Sequence, residues 1–429
     1  MSRAGRFARL RVPALLPGLL LGLQSILAPA GTAAALVPDD DDAAALSLAG
    51  TSSVAPTRSE SLVAEAALTE AQLPGGYASE ERLSLDYRDD VVLGAGWRAV
   101  VADRLDLDWF DGGQQINTLK QAYVSWQPLS DLVLDAGRVN ARQGVALGYN
   151  PTDFFKADAL RTVDSLDPDS LRDERLGTVM LRGEALWTSG AFTAVYAPRL
   201  ADAPSDGPFS ADFGATNRRN RWLLALSQRL GSVMTPQWLL FGEQGKSPQA
   251  GMNLTSVLGQ AAVVFVEASG GRMQSLWAES LDLSGSESLR ARASTGVTYS
   301  TTNKISLSLE YEYDGAALSR TGWNAARQGD PKNYGRYRNR VADQQELPTQ
   351  HSVFVYASWQ DFLTKHMDLS AFARIDLADH SRLPWTELRY HWSHIDAAMR
   401  WQDYLGGATS DYGASPSRQT WQVLLDYYL

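Results

Sequence analysis

Beyond residue 80 the chain repeats one rule: apolar and polar side chains alternate over roughly ten positions, and then a cluster of turn residues intervenes. Successive side chains of an extended strand point to opposite faces, so each such segment has one apolar and one polar face. The clearest case is Ile305, Leu307, Leu309, Tyr311 and Tyr313, interleaved with Ser306, Ser308, Glu310, Glu312 and Asp314. Likewise Leu289, Ala291, Ala293, Thr295, Val297 and Tyr299 oppose Arg290, Arg292, Ser294 and Thr298. Met367, Leu369, Ala371, Ala373 and Ile375 oppose Asp368, Ser370, Phe372, Arg374 and Asp376, and Ile395, Ala397, Met399 and Trp401 oppose Asp396, Arg400 and Gln402. After residue 35 no stretch approaches the ~18 apolar residues of a membrane-spanning helix. Half-apolar strands, with 13 Trp, 16 Tyr and 35 Gly, instead suit a transmembrane barrel with lipid outside and water inside. A soluble sandwich also alternates. Against it stand the missing domain breaks and the tryptophans near strand ends, Trp97, Trp109, Trp187, Trp238, Trp359, Trp385 and Trp392, placed as interfacial girdles require.

Residues 81–429 thus predict an all-β, transmembrane antiparallel β-barrel of about sixteen strands, with eighteen as the alternative. A barrel of that size encloses an aqueous channel, whereas an eight-stranded one is filled by its own side chains. The polar, Gly- and Pro-rich connections 148–172, 199–220 and 315–346 are expected on one rim or folded into the lumen, because strands alternate in direction. At the C-terminus, Trp421, Val423, Leu425, Tyr427 and Leu429 share a face opposite Gln422, Asp426 and Tyr428. This resembles the terminal-strand signal read by the barrel assembly machinery, with Leu429 where an aromatic is usual. The expected location is the outer membrane of a Gram-negative bacterium, with its lipids as partners.

The N-terminus supports export. Arg3, Arg6, Arg9 and Arg11 precede an apolar stretch at 15–27 and small residues to Ala35, so residues 1–35 read as a signal peptide cleaved near Ala33-Ala34-Ala35. Residues 36–80 open with the acidic run Asp39, Asp40, Asp41 and Asp42 and read as a partly disordered periplasmic leader, with a short helix expected over residues 61–71. Removing 1–35 leaves 35 basic against 49 acidic side chains, a net charge of −14 in place of −10. So acidic a chain lacks the concentrated Lys and Arg of nucleic-acid binding. With no cysteine there is no disulfide framework and no thiolate metal or redox site.

The most distinctive stretch is residues 119–186. Asn150 before Pro151 favours a turn, and Thr152 or Asp153 is expected to cap a short helix through Phe154, Phe155 and Lys156. Asp167 precedes Pro168 and is expected to cap a second one. Gly137-Arg138 followed by Asn150-Pro151-Thr152-Asp153 resembles a hairpin of poorly characterised porin-like outer-membrane families, which implies a barrel and not a substrate. The segment concentrates Asp153, Lys156, Asp158, Arg161, Asp164, Asp167, Asp169, Arg172, Asp173, Glu174 and Arg175. Two readings stand: a helical insert constricting the pore, whose opposed charges order polar solutes, or an external loop held by surface ion pairs.

Inward-phase arginines are the second set of candidates: Arg82, Arg88, Arg98, Arg104, Arg182, Arg290, Arg292, Arg374, Arg389 and Arg400, with Asp86, Asp106, Glu184, Glu310, Glu312, Asp376, Glu387 and Asp396 as partners. Arg138 shares phase with Leu134 and Ala136 and needs a bulge near Gly137 to turn inward. His351, His366, His380, His391 and His394 stand beside neither a nucleophile elbow nor an HExxH helix, and no catalytic, metal or cofactor pattern appears. The expected function is a porin-like channel for small polar or charged solutes. The alternatives are an export pore for a polysaccharide or other secreted product, and a plugged structural or enzymatic barrel.

Overall fold

The computed structural model describes residues 60–108, 115–205, 207–231, 234–284 and 287–429. The expected signal peptide, most of the leader and Trp109 lie outside them. Eighteen strands form among the described residues. They are β1 (Ser61–Leu73), β2 (Gly76–Gly94), β3 (Trp97–Asp108), β4 (Gln115–Leu129), β5 (Leu132–Val139) and β6 (Thr178–Trp187). Next come β7 (Gly190–Ala197), β8 (Arg221–Gln228), β9 (Met234–Glu243), β10 (Gln249–Leu258), β11 (Ala262–Met273) and β12 (Ser288–Ser300). The last six are β13 (Ile305–Asp314), β14 (His351–Trp359), β15 (Met367–Asp376), β16 (Arg382–His391), β17 (Ile395–Asp403) and β18 (Gln419–Tyr428).

Each strand pairs antiparallel with its neighbours in sequence, and β1 closes the ring on β18 from Val63↔Tyr428 to Gln72↔Gln419. Closure leaves no sheet edge, as lipid requires, because an unpaired backbone group there has no water to bond. The barrel has eighteen strands, the larger of the two expected counts, and starts at Ser61 instead of residue 81. The segment expected to be a helix is β1. Its Ala, Glu and Leu favour helices locally, but strand pairing on both edges satisfies its whole backbone, which a short isolated helix cannot match.

The connections from even to odd strands are short, from Gly94–Trp97 to His391–Ile395, and they share a rim with Ser61 and Leu429. All three long connections join odd to even strands and so emerge at the other rim, as expected. Outward rows match the expected phase: Leu307, Leu309, Val423 and Leu425 are exposed, whereas Ser308, Glu310, Glu312 and Asp426 are buried inside. Trp97 and Trp126 stack at 5.2 Å on the short-turn rim, forming part of the girdle. Trp385 departs from expectation. It is buried inside the barrel, stacked 5.1 Å from Phe372 in a cluster with Phe354 and Leu383.

Among the described residues five helices sit in odd-to-even connections, four in the long ones and α3 between β11 and β12: α1 (Pro168–Asp173), α2 (Phe213–Thr216), α3 (Leu276–Ser280), α4 (Arg320–Gln328) and α5 (Pro331–Gln344). Among the described residues no helix is long and apolar enough to cross a membrane. The last three pack together through Leu276, Trp323, Tyr334, Tyr337 and Val341.

Candidate functional site: an insert across the lumen

Residues 140–177 leave the wall after β5, traverse the barrel interior and return to β6. Their course follows from their partners. The backbone amides of Val145 and Ala146 donate to Glu267 of β11 (2.9 and 3.2 Å), and those of Leu147 and Gly148 donate to Glu310 of β13 (2.8 Å each). Arg374 of β15 donates to the Gly148 carbonyl at 2.9 Å. These strands lie six to ten positions from β5 in a ring of eighteen, on its far side. Phe154 and Phe155 then dock against Phe241, Leu223 and Val195 on the near wall, while Leu147 and Leu166 pack on the Phe354–Trp385 cluster.

Of the two helices expected here, one exists. Asp167 caps α1, accepting from the amides of Asp169 (3.1 Å) and Ser170 (3.2 Å) ahead of Pro168. Residues 150–156 form consecutive turns instead of a helix. There the Thr152 amide donates to Glu267 at 2.9 Å, and the Asp153 carboxylate pairs with Arg175 at 2.8 Å, both side chains 2% exposed. A helix would leave the contact to Glu267 on the wall and the pair with Arg175 unmade.

Most of the charges expected to face solute are instead spent holding the insert. Lys156 donates to the Asn150 carbonyl (3.0 Å), lies over the Tyr149 ring and faces Glu346 at 3.5 Å. Arg161 donates to the carbonyls of Asn117, Ser210 and Gly207, and Arg172 to Gly144 at 3.1 Å. Asp173 lies 3.7 Å from Lys120 and 3.4 Å from Arg142. Asp169 is exposed on the first turn of α1.

Asp164 and Glu174 are insert charges that meet the wall cluster. Arg82 contacts Glu65 (2.8 Å), Asp106 (3.3 Å) and Asp164 (3.2 Å), while Arg104 contacts Glu65 (2.9 Å), Asp106 (2.9 Å), Asp164 (3.2 Å) and Glu174 (3.6 Å). Lys120 pairs with Asp86 at 2.6 Å. On this side acids outnumber bases, since Glu65, Asp86, Asp106, Asp164, Asp173 and Glu174 face Arg82, Arg104 and Lys120. Burial pushes the Asp164 carboxyl up, opposed by Arg82, and pushes that of Glu174 up to about 7, opposed by Arg104. A second group follows on β16–β18, where Arg389 and Arg400 share Glu387, and Arg389 also reaches Asp396 and Asp426.

The other lumen candidates divide by role. Arg98 pairs with Asp90 at 3.2 Å, Arg182 with Asp135, and Arg292 with Asp314 (3.2 Å) and Glu346 (3.4 Å). Arg290 donates to the Gly315 carbonyl at 2.8 Å. Asp376 points inward but caps a turn, accepting from Ala378, Asp379 and Thr349. Arg138 does not join the lumen row. It registers opposite Ala122 and Val179, on the face away from Met180 and Arg182, and the pairing carries no bulge at Gly137. The β7–β8 connection covers it, through the Ala211 carbonyl and the Phe213 ring 5.2 Å away. Sequence reasoning missed Glu65, in the presumed leader, and Glu267. The signal for Glu267 was a lone carboxylate inside the apolar run 262–268.

Several cavities border the insert, among them three beside the contacts just described. The largest, about 410 Å³, lies between it and the β9–β12 wall; one of about 110 Å³ is lined by Val145, Leu147, Phe265 and Glu310; one of about 120 Å³ lies between Asp164, Arg82, Arg400 and Gln422. Among the described residues no group of three or more His, Asp or Glu is placed to hold a metal ion.

A closed eighteen-stranded antiparallel barrel with a folded segment drawn across a charged lumen is a porin-like β-barrel. Its likeness to particular solved proteins lies in the fold. OccK11 (OpdR) of Pseudomonas aeruginosa superposes with a TM-score of 0.52 at 11% identity, covering 87% of this chain and 96% of that one. OccAB1 of Acinetobacter baumannii gives 0.55 at 8%, with the same coverages. OccK2 (OpdF) of P. aeruginosa in complex with glucuronate gives 0.52 at 12%, covering 87% and 98%. No protein-family model matches the chain, and no curated protein sequence matches it.

Proposed function

We propose that this chain is a porin-like channel of a Gram-negative outer membrane through which small polar or charged solutes diffuse. The observation that carries the reading is the insert: residues 140–177 meet the wall on both sides of the ring and leave charged crevices beside it. A constriction of this kind makes solutes pass within a few ångströms of fixed charges, where water screens them poorly. The glucuronate bound to OccK2 is a small polar solute of the class proposed here. A conduit for a secreted polymer needs a clear lumen, and the insert weighs against it. The Gly137-Arg138 and Asn150-Pro151-Thr152-Asp153 hairpin supports a place among porin-like families that share it.

In the same reading residues 1–35 are removed on export, residues 36–59 lie in the periplasm, and the C-terminal strand is recognised by the barrel assembly machinery. The function is tested by single-channel recording of refolded protein in planar bilayers. Discrete conductance steps are expected, and replacing residues 152–171 by a short Gly-Ser linker is expected to raise them. Absence of steps from correctly folded protein would return the chain to a plugged barrel.

A further inference from the structure

We propose that Glu267 and Glu310 are positioning residues that hold residues 144–152 shut against the β11–β13 wall and so set the aperture of the channel; this rests on the channel reading above. Neither carboxylate is engaged by a lysine or arginine side chain in the contacts described. Glu267 instead accepts from the backbone amides of Val145 (2.9 Å), Ala146 (3.2 Å) and Thr152 (2.9 Å) and from the Thr152 hydroxyl (2.7 Å). Glu310 accepts from Leu147 and Gly148 at 2.8 Å each. Holding five backbone amides of the insert with two side chains is not required of a barrel strand, whose own backbone is already satisfied by its neighbours.

The chain is shaped to admit this seat. Gly144 has φ +85°, where L-residues are strained, and a Cβ there would collide with the Glu267 carboxylate. A Cβ at Gly148 would collide with Glu312 and Phe354. Glycine therefore stands at the start of the span and at its middle, where the contacts to Glu310 end. Ser269 adds a hydrogen bond to the Pro151 carbonyl at 2.7 Å, and Arg374 one to Gly148.

The seat also lies between two of the cavities. The 410 Å³ cavity reaches the insert at Pro151, Asp153 and Lys156, and the 110 Å³ cavity reaches it at Val145 and Leu147. Both are bordered by the β9–β14 side of the wall, and residues 144–152 separate them. Held down, this span closes a passage along that wall and confines solute to the Arg82–Asp164 side; lifted, it joins the two cavities.

The test uses the full chain refolded in lipid and begins with Glu267→Gln and Glu310→Gln. An amide side chain presents one oxygen and a donor to groups that all donate, so at least one amide loses its partner. The absence of cysteine makes a second readout clean: Ala146→Cys places a thiol at a buried position for a soluble maleimide. Labelling is expected to be roughly tenfold faster or more when Glu267→Gln is added, the scale of a lost charge-assisted hydrogen bond. Unitary conductance is expected to rise, with frequent substates. Should Glu267→Gln not fold, Gly144→Ala displaces the same span while keeping the carboxylate and is expected to act in the same direction. Unchanged labelling and unchanged conductance in folded variants overturn the latch. A wild type that never conducts, with labelling still accelerated, overturns the channel reading and keeps the latch.

Discussion

Asp153 and Arg175 show why an insert inside a barrel is costly to alter one residue at a time. Their carboxylate and guanidinium meet at 2.8 Å, and Arg175 also donates to Asn140 and to the Ala141 carbonyl. Breaking such a buried pair from one side strands the other charge, so Arg175→Met is expected to cost about 3–5 kcal/mol. The double change Asp153→Asn with Arg175→Met is expected to recover part of it, read by urea unfolding in vesicles. Glu174 gives a pH signature at the same scale. Burial pushes its carboxyl up to about 7, so it is ionised above that pH and protonated below it. Going from about pH 8 to about pH 6 removes one negative charge beside Arg104. The reversal potential in a salt gradient is expected to move toward anions over that interval. Glu174→Gln is expected to hold the low-pH value throughout, and an unchanged pH response in that variant would assign the effect elsewhere.

Among elements, β1 carries the closure of the ring. Deleting residues 61–73 uncovers the edges of β2 and β18 together, and the remaining chain is expected to lose its compact, heat-modifiable band on cold gels. Retention of that band would mean the seventeen other strands close without it. Strands of mixed composition were legible because polar and apolar residues separate cleanly, as in β13. β1 was not, because Ala and Glu at successive positions satisfy a helix locally and only the register with β18 decides between the two. Trp385 was misplaced for a related reason: a tryptophan near a strand end fits a girdle or an interior cluster equally, and the insert residues Leu147 and Leu166 that pack on its cluster are far away in sequence. The charge-rich insert was legible as a place. Its division into braces and solute-facing groups was not, since Arg161 and Arg172 differ from Arg82 only in the distant carbonyls or carboxylates they meet.

For the molecule as a whole, the decisive property is that one face of every strand meets lipid and the other meets the insert or water. Leu309 lies on an exposed outward row and Ser308, its neighbour, is buried inside at the 110 Å³ cavity, 2.8 Å from the Thr298 hydroxyl. Leu309→Arg near the bilayer midplane transfers a cation into hydrocarbon and is expected to cost ~2–4 kcal/mol. Ser308→Arg places the same group on the inner face, in a cavity that also contains the Glu310 carboxylate, and is expected to be nearly neutral for insertion. Both values are read from reversible folding into lipid vesicles. Reversed tolerance, with Ser308→Arg the costly change, would shift the register of β13 by one residue and turn Glu310 and Glu312 toward lipid, and equal tolerance would rule out the assigned phase. The contrast between these neighbours therefore tests the whole inside-outside assignment on which the constriction, its charges and its latch depend.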